Sequence, residues 1–210
     1  MPYVIKWPPA KRAGARMARL AALGVLVVGA MSALAPSALA DTSSCAAATL
    51  TQTFLSWGDS NSYAPAPGES FDSFDATGWT LLGSATIVST DLADGATSNV
   101  LDLRGHSVAI SPAMCVDPTY QTARAIVRRV SGHGAVSFWV AHQARNAGWW
   151  SGLDFDGVLT GDADWTLTDP LSLHAESVAG PQLVRFVFSS VGDHSHTQLY
   201  NFYVDPYAKG

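Results

Sequence analysis

The fold of this chain is most clearly decided by the stretch Ala135-Val136-Ser137-Phe138-Trp139-Val140. Its Val, Phe and Val residues alternate with Ser and Trp, so they lie on one face of an extended strand while the others lie on the opposite face. A helix would instead repeat its apolar residues every three or four positions. The stretch therefore predicts a strand with one buried face.

Runs with this period of two recur along the chain, with Gly, Pro, Asp and Ser between them. Many short strands separated by such turn residues predict an all-β fold with two antiparallel sheets, a jelly-roll-like sandwich. Ser131-Gly132-His133-Gly134 and 193–195 are predicted to be hairpin turns, and Tyr200, Phe202 and Val204 are predicted to share one face. The predicted strands are 47–56, 79–89, 98–103, 106–111, 121–130, 134–142, 153–158, 164–168, 171–175, 182–189 and 197–204.

Residues 1–40 have the three parts of a secretory signal. Basic residues precede an almost purely apolar run, and Ala38-Leu39-Ala40 provides a small-x-small cleavage site. At about 15 residues the run is shorter than the ~20 that a membrane helix needs. We therefore predict a cleaved signal helix over 1–40, a single secreted domain over 41–210, and membrane contact only through the signal before cleavage. Met1 and Met17 both open a signal of acceptable length.

Cleavage of this segment changes the charge balance of the protein. Five of the 12 Lys and Arg residues lie in residues 1–40, and none of the 17 Asp and Glu residues do. The mature domain therefore keeps 7 basic and 17 acidic residues, a net charge of −10 with His neutral. Such a domain repels a polyanion, so nucleic acid is excluded as a partner.

Cys45 and Cys115 are the only cysteines, and both lie in the mature part of the chain. An even number of cysteines in an exported protein predicts a disulfide bond between them. The alternative is a lipid-modified Cys45, but Thr42-Ser43-Ser44 lacks the Leu that a lipoprotein signal carries three residues before its cysteine.

Motifs spread over most of the mature chain resemble those of a set of secreted proteins from high-GC bacteria. Those proteins in turn resemble jelly-roll, galactose-binding-like carbohydrate-binding modules. The motifs describe strands and turns, so the resemblance implies a fold more than an activity. They are Phe54-Leu55-Ser56-Trp57-Gly58-Asp59, Pro67-Gly68-Glu69-Ser70-Phe71-Asp72, Ser111-Pro112, Met114-Cys115-Val116 and Tyr200-Asn201-Phe202-Tyr203-Val204-Asp205-Pro206.

The resemblance also implies a structural calcium ion between the first and last strands. The matching carboxylates here would be Glu69 or Asp72 near the start and Asp205 near the end. Relatives commonly have an acid where this chain has Asn201, which weakens the match. Calcium takes six to eight oxygen ligands, so backbone carbonyls and water would have to complete the site. Surface carboxylates at strand ends are the alternative, and no other cofactor is expected.

A serine esterase is the alternative function. Gly58-Asp59-Ser60 matches the nucleophile block of GDSL-type esterases, and Asp193-His194-Ser195-His196 matches their Asp-x-x-His block. Ser60 would then be the nucleophile, His196 its base and Asp193 the acid that orients the base. That family, however, uses a parallel sheet with several helices, and its middle Gly-x-Asn-Asp block is absent here.

Tryptophan residues give the leading functional hypothesis. Trp149 and Trp150 lie in a Gly-flanked segment and would form an exposed platform for sugar rings, with Trp165 and its neighbouring acids as a further sugar-contacting edge. One of the paired rings could instead cap an open end of the sandwich, and Trp57 and Trp79 fit the core better. The sequence thus favours an exported, non-catalytic β-sandwich that binds a glycan or a cell-surface partner.

Overall fold

Alternating apolar residues form thirteen strands and one short 3₁₀ helix in the part of the chain that the structure describes. This computed structural model describes residues 49–70, 74–116, 122–142, 152–173 and 182–205. The helix is Leu55–Trp57. The strands are β1 (Ala64–Pro65), β2 (Thr80–Leu82), β3 (Thr86–Asp91), β4 (Thr97–Arg104), β5 (Val108–Ile110), β6 (Met114–Val116), β7 (Thr122–Ser131), β8 (Ala135–His142), β9 (Gly152–Thr160), β10 (Thr166–Leu167), β11 (Leu171–Ser172), β12 (Gln182–Ser190) and β13 (His196–Asp205).

The strands pair into two antiparallel sheets, which confirms the predicted all-β sandwich. The larger sheet has the order β10-β7-β13-β4-β3, with β1 also paired to β13 and β11 to β7. The smaller sheet has the order β2-β5-β12-β8-β9, with β6 also paired to β12. No helix in the described ranges is long and apolar enough to cross a membrane.

Several predictions fall on residues outside the described ranges. The signal over 1–40, its boundary with the mature domain and Cys45 are among them. Cys115 lies in β6, where its partner across the sheet is Leu183 of β12. The Cys45–Cys115 bridge, the domain boundary and secretion therefore stay predictions.

Four phenylalanine rings fill the centre of the space between the sheets. Phe138, Phe186, Phe188 and Phe202 are fully buried. The Phe138 ring lies 5.2 Å from that of Phe188 and 5.6 Å from that of Phe202, and the Phe186 ring lies 4.8 Å from that of Phe202. Burial of these large apolar side chains, which come from both sheets, is what holds the two layers together.

A second set of buried side chains covers the opposite, outer face of the larger sheet. We call it the outer cluster. Along the strands of this sheet, every second side chain faces the inner core and the side chains between them face outward. In β4, for example, Leu101 lies in the inner core and Val100 lies in the outer cluster. Its members are Phe54, Tyr63, Val100, Ile126, Trp165, Tyr200 and Tyr203. The larger sheet is therefore covered on both faces, although a two-layer sandwich requires cover on only one.

Two predicted strands differ from the observed elements. Residues 47–56 do not form a strand where they are described, because Thr51 makes only an isolated bridge to Tyr63 and the 3₁₀ helix follows. Residues 79–89 are divided between β2 and β3, with Gly83 in a left-handed conformation at φ 66° between them. The turn at Gly83 lets the chain pass from the smaller sheet to the larger one.

The two predicted hairpin turns are wrong, because each connects strands of different sheets. Ser131–Gly134 joins β7 to β8, and 191–195 joins β12 to β13. These connections are arches over the edge of the sandwich. They pack against each other so closely that a Cβ built on Gly132 would lie 2.0 Å from the carbonyl oxygen of His194.

A bulge at Asn201 changes which residues of β13 face the core. Asn201 has a left-handed φ of 51°, and the register with β7 shifts between Tyr200 and Tyr203. The extra residue reverses the alternation, so Phe202 and Val204 face the core while Tyr200 and Tyr203 join the outer cluster. The prediction that Tyr200 shares a face with Phe202 and Val204 is wrong.

Substitution of Gly132 by Ala tests the contact between the two arches. Gly132 has φ 68°, and the added Cβ would collide with the His194 backbone. We expect Gly132→Ala to lower the free energy of unfolding by about 2–4 kcal/mol, through left-handed strain plus the displacement of packed backbone. Gly192→Ala is the matched control, because φ is 93° but nothing lies within 4 Å of its Cβ. Urea denaturation should show a loss of only about 1–2 kcal/mol for the control; equal losses would contradict the contact.

Candidate functional site

A cleft of about 460 Å³ opens on the outer face of the larger sheet. Its walls come from the segment around the 3₁₀ helix and from the hairpin that joins β3 to β4, residues 92–96, while β4, β7 and β13 contribute its floor. The volume lies within the range of small-molecule sites. The lining residues are Thr53, Ser56, Trp57, Phe74, Leu92, Ala93, Asp94, Ser98, Asn99, Ile126, Tyr200 and Asn201.

The cleft combines aromatic rings with neutral hydrogen-bonding groups. Trp57 is half-buried on one wall, and Tyr200 lies in the floor with its side chain mostly covered. Asn99 and Asn201 each bring an amide, which can donate and accept hydrogen bonds at once. Within the described part of the chain, Asp94 is the only charged residue that lines the cleft.

Glu69 holds the bulge that brings Asn201 to the cleft. The Oε1 atom of Glu69 accepts a hydrogen bond of 2.9 Å from the backbone N–H of Phe202, and the backbone of Asn201 also contributes a hydrogen bond. Burial raises the pKa of the Glu69 carboxyl to about 8, although these two bonds oppose the shift. Its Oε2 atom is shielded from solvent and has no hydrogen-bond partner.

The predicted calcium site lies partly outside the described residues. Asp72 lies outside the described ranges, and Asp205 is buried at the end of β13 with 3% of its surface exposed. Among the described residues, no three His, Cys, Asp or Glu side chains are grouped so that they could hold a metal ion. Calcium binding therefore stays a prediction.

A buried ion pair fastens the helix-bearing wall to the larger sheet. Asp59 pairs with Arg124 of β7 and accepts a hydrogen bond of 2.5 Å from the hydroxyl of Tyr63. Arg124 also donates to the carbonyl oxygen of Thr168, at 2.9 Å from Nε and 2.6 Å from Nη2. Burial alone would raise the pKa of Asp59, but hydrogen bonds from Tyr63, Asn61 and Arg124 and the Arg124 charge hold it below its ordinary value.

Trp165, contrary to the prediction, has no open ring face for a sugar. Only 9% of its surface is exposed, and its Nε1 donates a hydrogen bond of 2.9 Å to the carbonyl oxygen of Asp91. Tyr200 packs edge-on against the indole with ring centroids 4.8 Å apart, and Arg128 covers the ring at 4.4 Å. Trp149 and Trp150, the other predicted platform residues, lie outside the described ranges.

The geometry contradicts the predicted esterase triad. Asp193 pairs with His106 at 2.7 Å, whereas His196 pairs with Asp102, also at 2.7 Å. A triad requires the acid to bond its own histidine so that the ring is oriented toward the nucleophile. Ser60 is exposed, and its carbonyl oxygen accepts a hydrogen bond from Gln52. The esterase alternative therefore has no structural support.

Another aromatic pair lies on the outer face of the smaller sheet, away from the cleft. Trp139 and Phe155 are cross-strand partners with ring centroids 4.9 Å apart and an interplanar angle of 64°. Phe155 is 51% exposed and Leu153 beside it is 54% exposed. Rings at this angle do not form a flat platform.

Sequence reasoning missed most of the cleft. Trp57 was expected in the core, and Asn201 was noted only because relatives have an acid there. The dipeptide Asp94-Gly95 between two strand runs is a strong hairpin signal, and it would have located one wall. No local pattern, however, indicates that this hairpin lies over the floor formed by β13.

Comparisons with known proteins give only distant structural neighbours. No protein-family model matches the chain, and no curated protein is significantly similar to it. The CBM22-1 xylan-binding domain of Paenibacillus barcinonensis Xyn10C is 14% identical, with 69% of this chain and 94% of that chain covered and a TM-score of 0.41. A family 11 carbohydrate-binding module from Clostridium thermocellum, solved with a β-1,3-1,4-mixed-linked tetrasaccharide, is 11% identical, with coverages of 63% and 90% and a TM-score of 0.43. TmCBM61, solved with β-1,4-galactotriose, is 12% identical, with coverages of 67% and 93% and a TM-score of 0.38.

Replacement of Asp59 by Asn tests the ion pair that fastens the wall. The folded-state pKa of Asp59 is lowered, so its contribution is present above the unfolded pKa and is lost as the pH falls through the folded pKa. We expect Asp59→Asn to reduce the free energy of unfolding by about 1–3 kcal/mol at pH 7, the range for hydrogen bonds to charged groups. Urea titrations should show this difference shrinking toward zero near pH 2. Asp164→Asn, at an exposed position, is the control, and a pH-independent deficit in Asp59→Asn would contradict the assignment.

Proposed function

We propose that this protein is a non-catalytic, saccharide-binding β-sandwich that works outside the cell, and that a neutral saccharide occupies the cleft. Export follows from the predicted signal over 1–40. The observation that carries the binding proposal is the cleft's composition, which joins the Trp57 ring to the amides of Asn99 and Asn201.

Sugar rings need this combination of groups. A pyranose has an apolar C–H face that packs on an aromatic ring and hydroxyl groups that both donate and accept hydrogen bonds. Trp57 offers the ring from the wall, and the two Asn side chains with Ser56 and Ser98 offer the polar partners. Mostly apolar sites with a few oriented polar groups are typical of small-ligand clefts.

The charge of the cleft favours a neutral saccharide over an acidic one. Among the described residues that line the cleft, Asp94 is the single charged one, and no cation faces it there. The mature domain also carries a net charge of −10. A uronate or sulfated sugar would therefore meet repulsion both locally and at long range.

The same residues argue against catalysis in the cleft. Glycoside hydrolysis uses two carboxylates at a defined separation across the scissile bond, and Asp94 is the only carboxylate among the lining residues that the structure describes. Acyl transfer uses a nucleophile with an adjacent base, and these described lining residues include neither His nor Cys. Binding is the activity that this cleft supports.

Titration of the mature domain with soluble polysaccharides tests the proposal. We expect binding to at least one of mixed-linkage β-glucan, xylan and galactan by affinity electrophoresis and calorimetry, and none to polygalacturonate. Trp57→Ala should weaken the affinity by at least about tenfold, about 1.4 kcal/mol, because it removes the stacking surface.

Trp139→Ala is the matched control for that substitution. Trp139 is also a half-buried indole in contact with another aromatic ring, but it lies on the outer face of the smaller sheet. Its affinity should equal that of the wild type. Equal losses in the two variants, or binding confined to the acidic polymer, would overturn the proposal for the cleft.

A further inference from the structure

We propose that Trp165 and Arg128 are positioning residues for the saccharide cleft, because they hold the 92–96 hairpin, one wall of the cleft, over the floor formed by β13. This inference rests on the proposed function, since it gives the two residues a role in ligand affinity. Neither residue lines the cleft, so any effect on the ligand must pass through the residues that do.

The hydrogen bonds within the hairpin fix its conformation but not its position relative to the larger sheet. The N–H of Leu92 donates to the carbonyl of Ala96 at 2.8 Å, and that of Gly95 donates to the carbonyl of Leu92 at 3.2 Å. The Asp94 carboxylate accepts from the N–H of Ala96 at 2.9 Å. All of these bonds lie within the hairpin, and residues 93–96 are exposed. Its position over the sheet therefore depends on contacts from other elements.

Leu92 packs against the outer cluster, and three polar contacts tie the hairpin and its base to other elements. Trp165 donates from Nε1 to the carbonyl oxygen of Asp91, the last residue of β3, at 2.9 Å. Arg128 donates to the Oγ1 atom of Thr90 at 2.7 Å. A backbone hydrogen bond also joins Ala93 to the Tyr200 hydroxyl in the cleft floor. Two of the three contacts thus come from side chains that the ligand would not touch.

Arg128 is itself held in place by a chain of polar contacts along the sheet. Its Nε donates to the Oε1 atom of Gln198 at 2.9 Å, and the Nε2 atom of Gln198 donates to Asp102 at 2.6 Å. Asp102 is fully buried and is bonded in addition by His196 and Arg104 at 2.7 and 2.6 Å. These contacts hold the Arg128 guanidinium in the position from which it donates to Thr90.

Trp165 connects this chain to the wall. The guanidinium of Arg128 lies 4.4 Å from the centre of the indole ring, a cation–π contact that fixes the ring plane. The ring plane in turn sets the direction of the Nε1–H bond to Asp91. A continuous series of contacts therefore connects Asp102 of β4 to the base of the hairpin, through Gln198 of β13, Arg128 of β7 and Trp165. We infer that this series sets the distance between the hairpin and the floor, and so the width of the cleft.

Trp165→Phe is the first test, because it keeps an aromatic ring against Tyr200 and Arg128 but removes the bond to Asp91. We expect the affinity for the neutral polysaccharide that binds the wild type to fall about five- to tenfold and amide hydrogen exchange of residues 92–96 to become faster. Trp139→Phe is the control, because Trp139 is also an indole packed on another aromatic ring but lies in the smaller sheet, away from the cleft. It should leave both the affinity and the hairpin exchange unchanged.

Arg128→Lys is the second variant, in case the first does not fold. A lysine keeps the charge but cannot bond Gln198 and Thr90 with the fixed fork of a guanidinium. We expect the same fall in affinity and the same faster exchange, whereas Arg129→Lys, at the exposed neighbouring position, should leave both unchanged. An affinity that stays at the wild-type value in Trp165→Phe and Arg128→Lys would overturn the inference. If the wild type binds none of the polysaccharides, the proposed function fails, and hairpin exchange in the two variants alone decides whether these residues anchor the wall.

Discussion

The hydrogen bonds from the Asn201–Phe202 backbone to the Glu69 carboxyl group are the constraint on which the rest of this structure depends. A bulge leaves backbone donors without partners in the neighbouring strand, and an unsatisfied buried donor costs about 1–3 kcal/mol. Glu69 accepts these donors and so makes the bulge tolerable. Because of the bulge, Phe202 completes the aromatic core while Tyr200 and Tyr203 lie on the outer face. The bulged residue, Asn201, itself lines the cleft.

Periodicity in the sequence predicted the strands and the two-sheet sandwich, because burial of one face imposes an alternation that local sequence must show. Periodicity did not predict the conformation of residues whose stabilising contacts come from a distant part of the sequence. The conformation of Asn201 depends on Glu69, which lies far from it in the chain, and no alternation rule anticipates a bulge. The turns at Ser131–Gly134 and 191–195 were taken as hairpins because glycine-rich turns look alike whether the next strand joins the same sheet or the opposite one. Length and composition of a turn do not encode that choice.

The candidate site shows the same limit more strongly. Its two walls and its floor come from residues 53–57, 92–94, 98–99 and 200–201, and none of these segments carries a recognisable binding motif. Trp165, which was predicted to contact a ligand, is buried: its indole N–H donates to a backbone carbonyl and its ring packs against the guanidinium of Arg128. Composition shows that a chain has aromatic and amide side chains that could bind a ligand. Which of them meet is decided by the curvature of the sheet and by the segments that cover it.

The central place of β13 in the larger sheet has a consequence for how the protein acquires its structure. This strand is the last of the described strands in the chain, yet it pairs with β1, β4 and β7. Its contacts therefore span most of the chain length, and such non-local pairing makes folding slow. While a ribosome or a translocation channel still holds the segment 196–205, the strands already released have an incomplete sheet with exposed edges. The larger sheet cannot form completely until β13 is released. The position of this strand late in the sequence therefore sets how long the rest of the chain can misassemble.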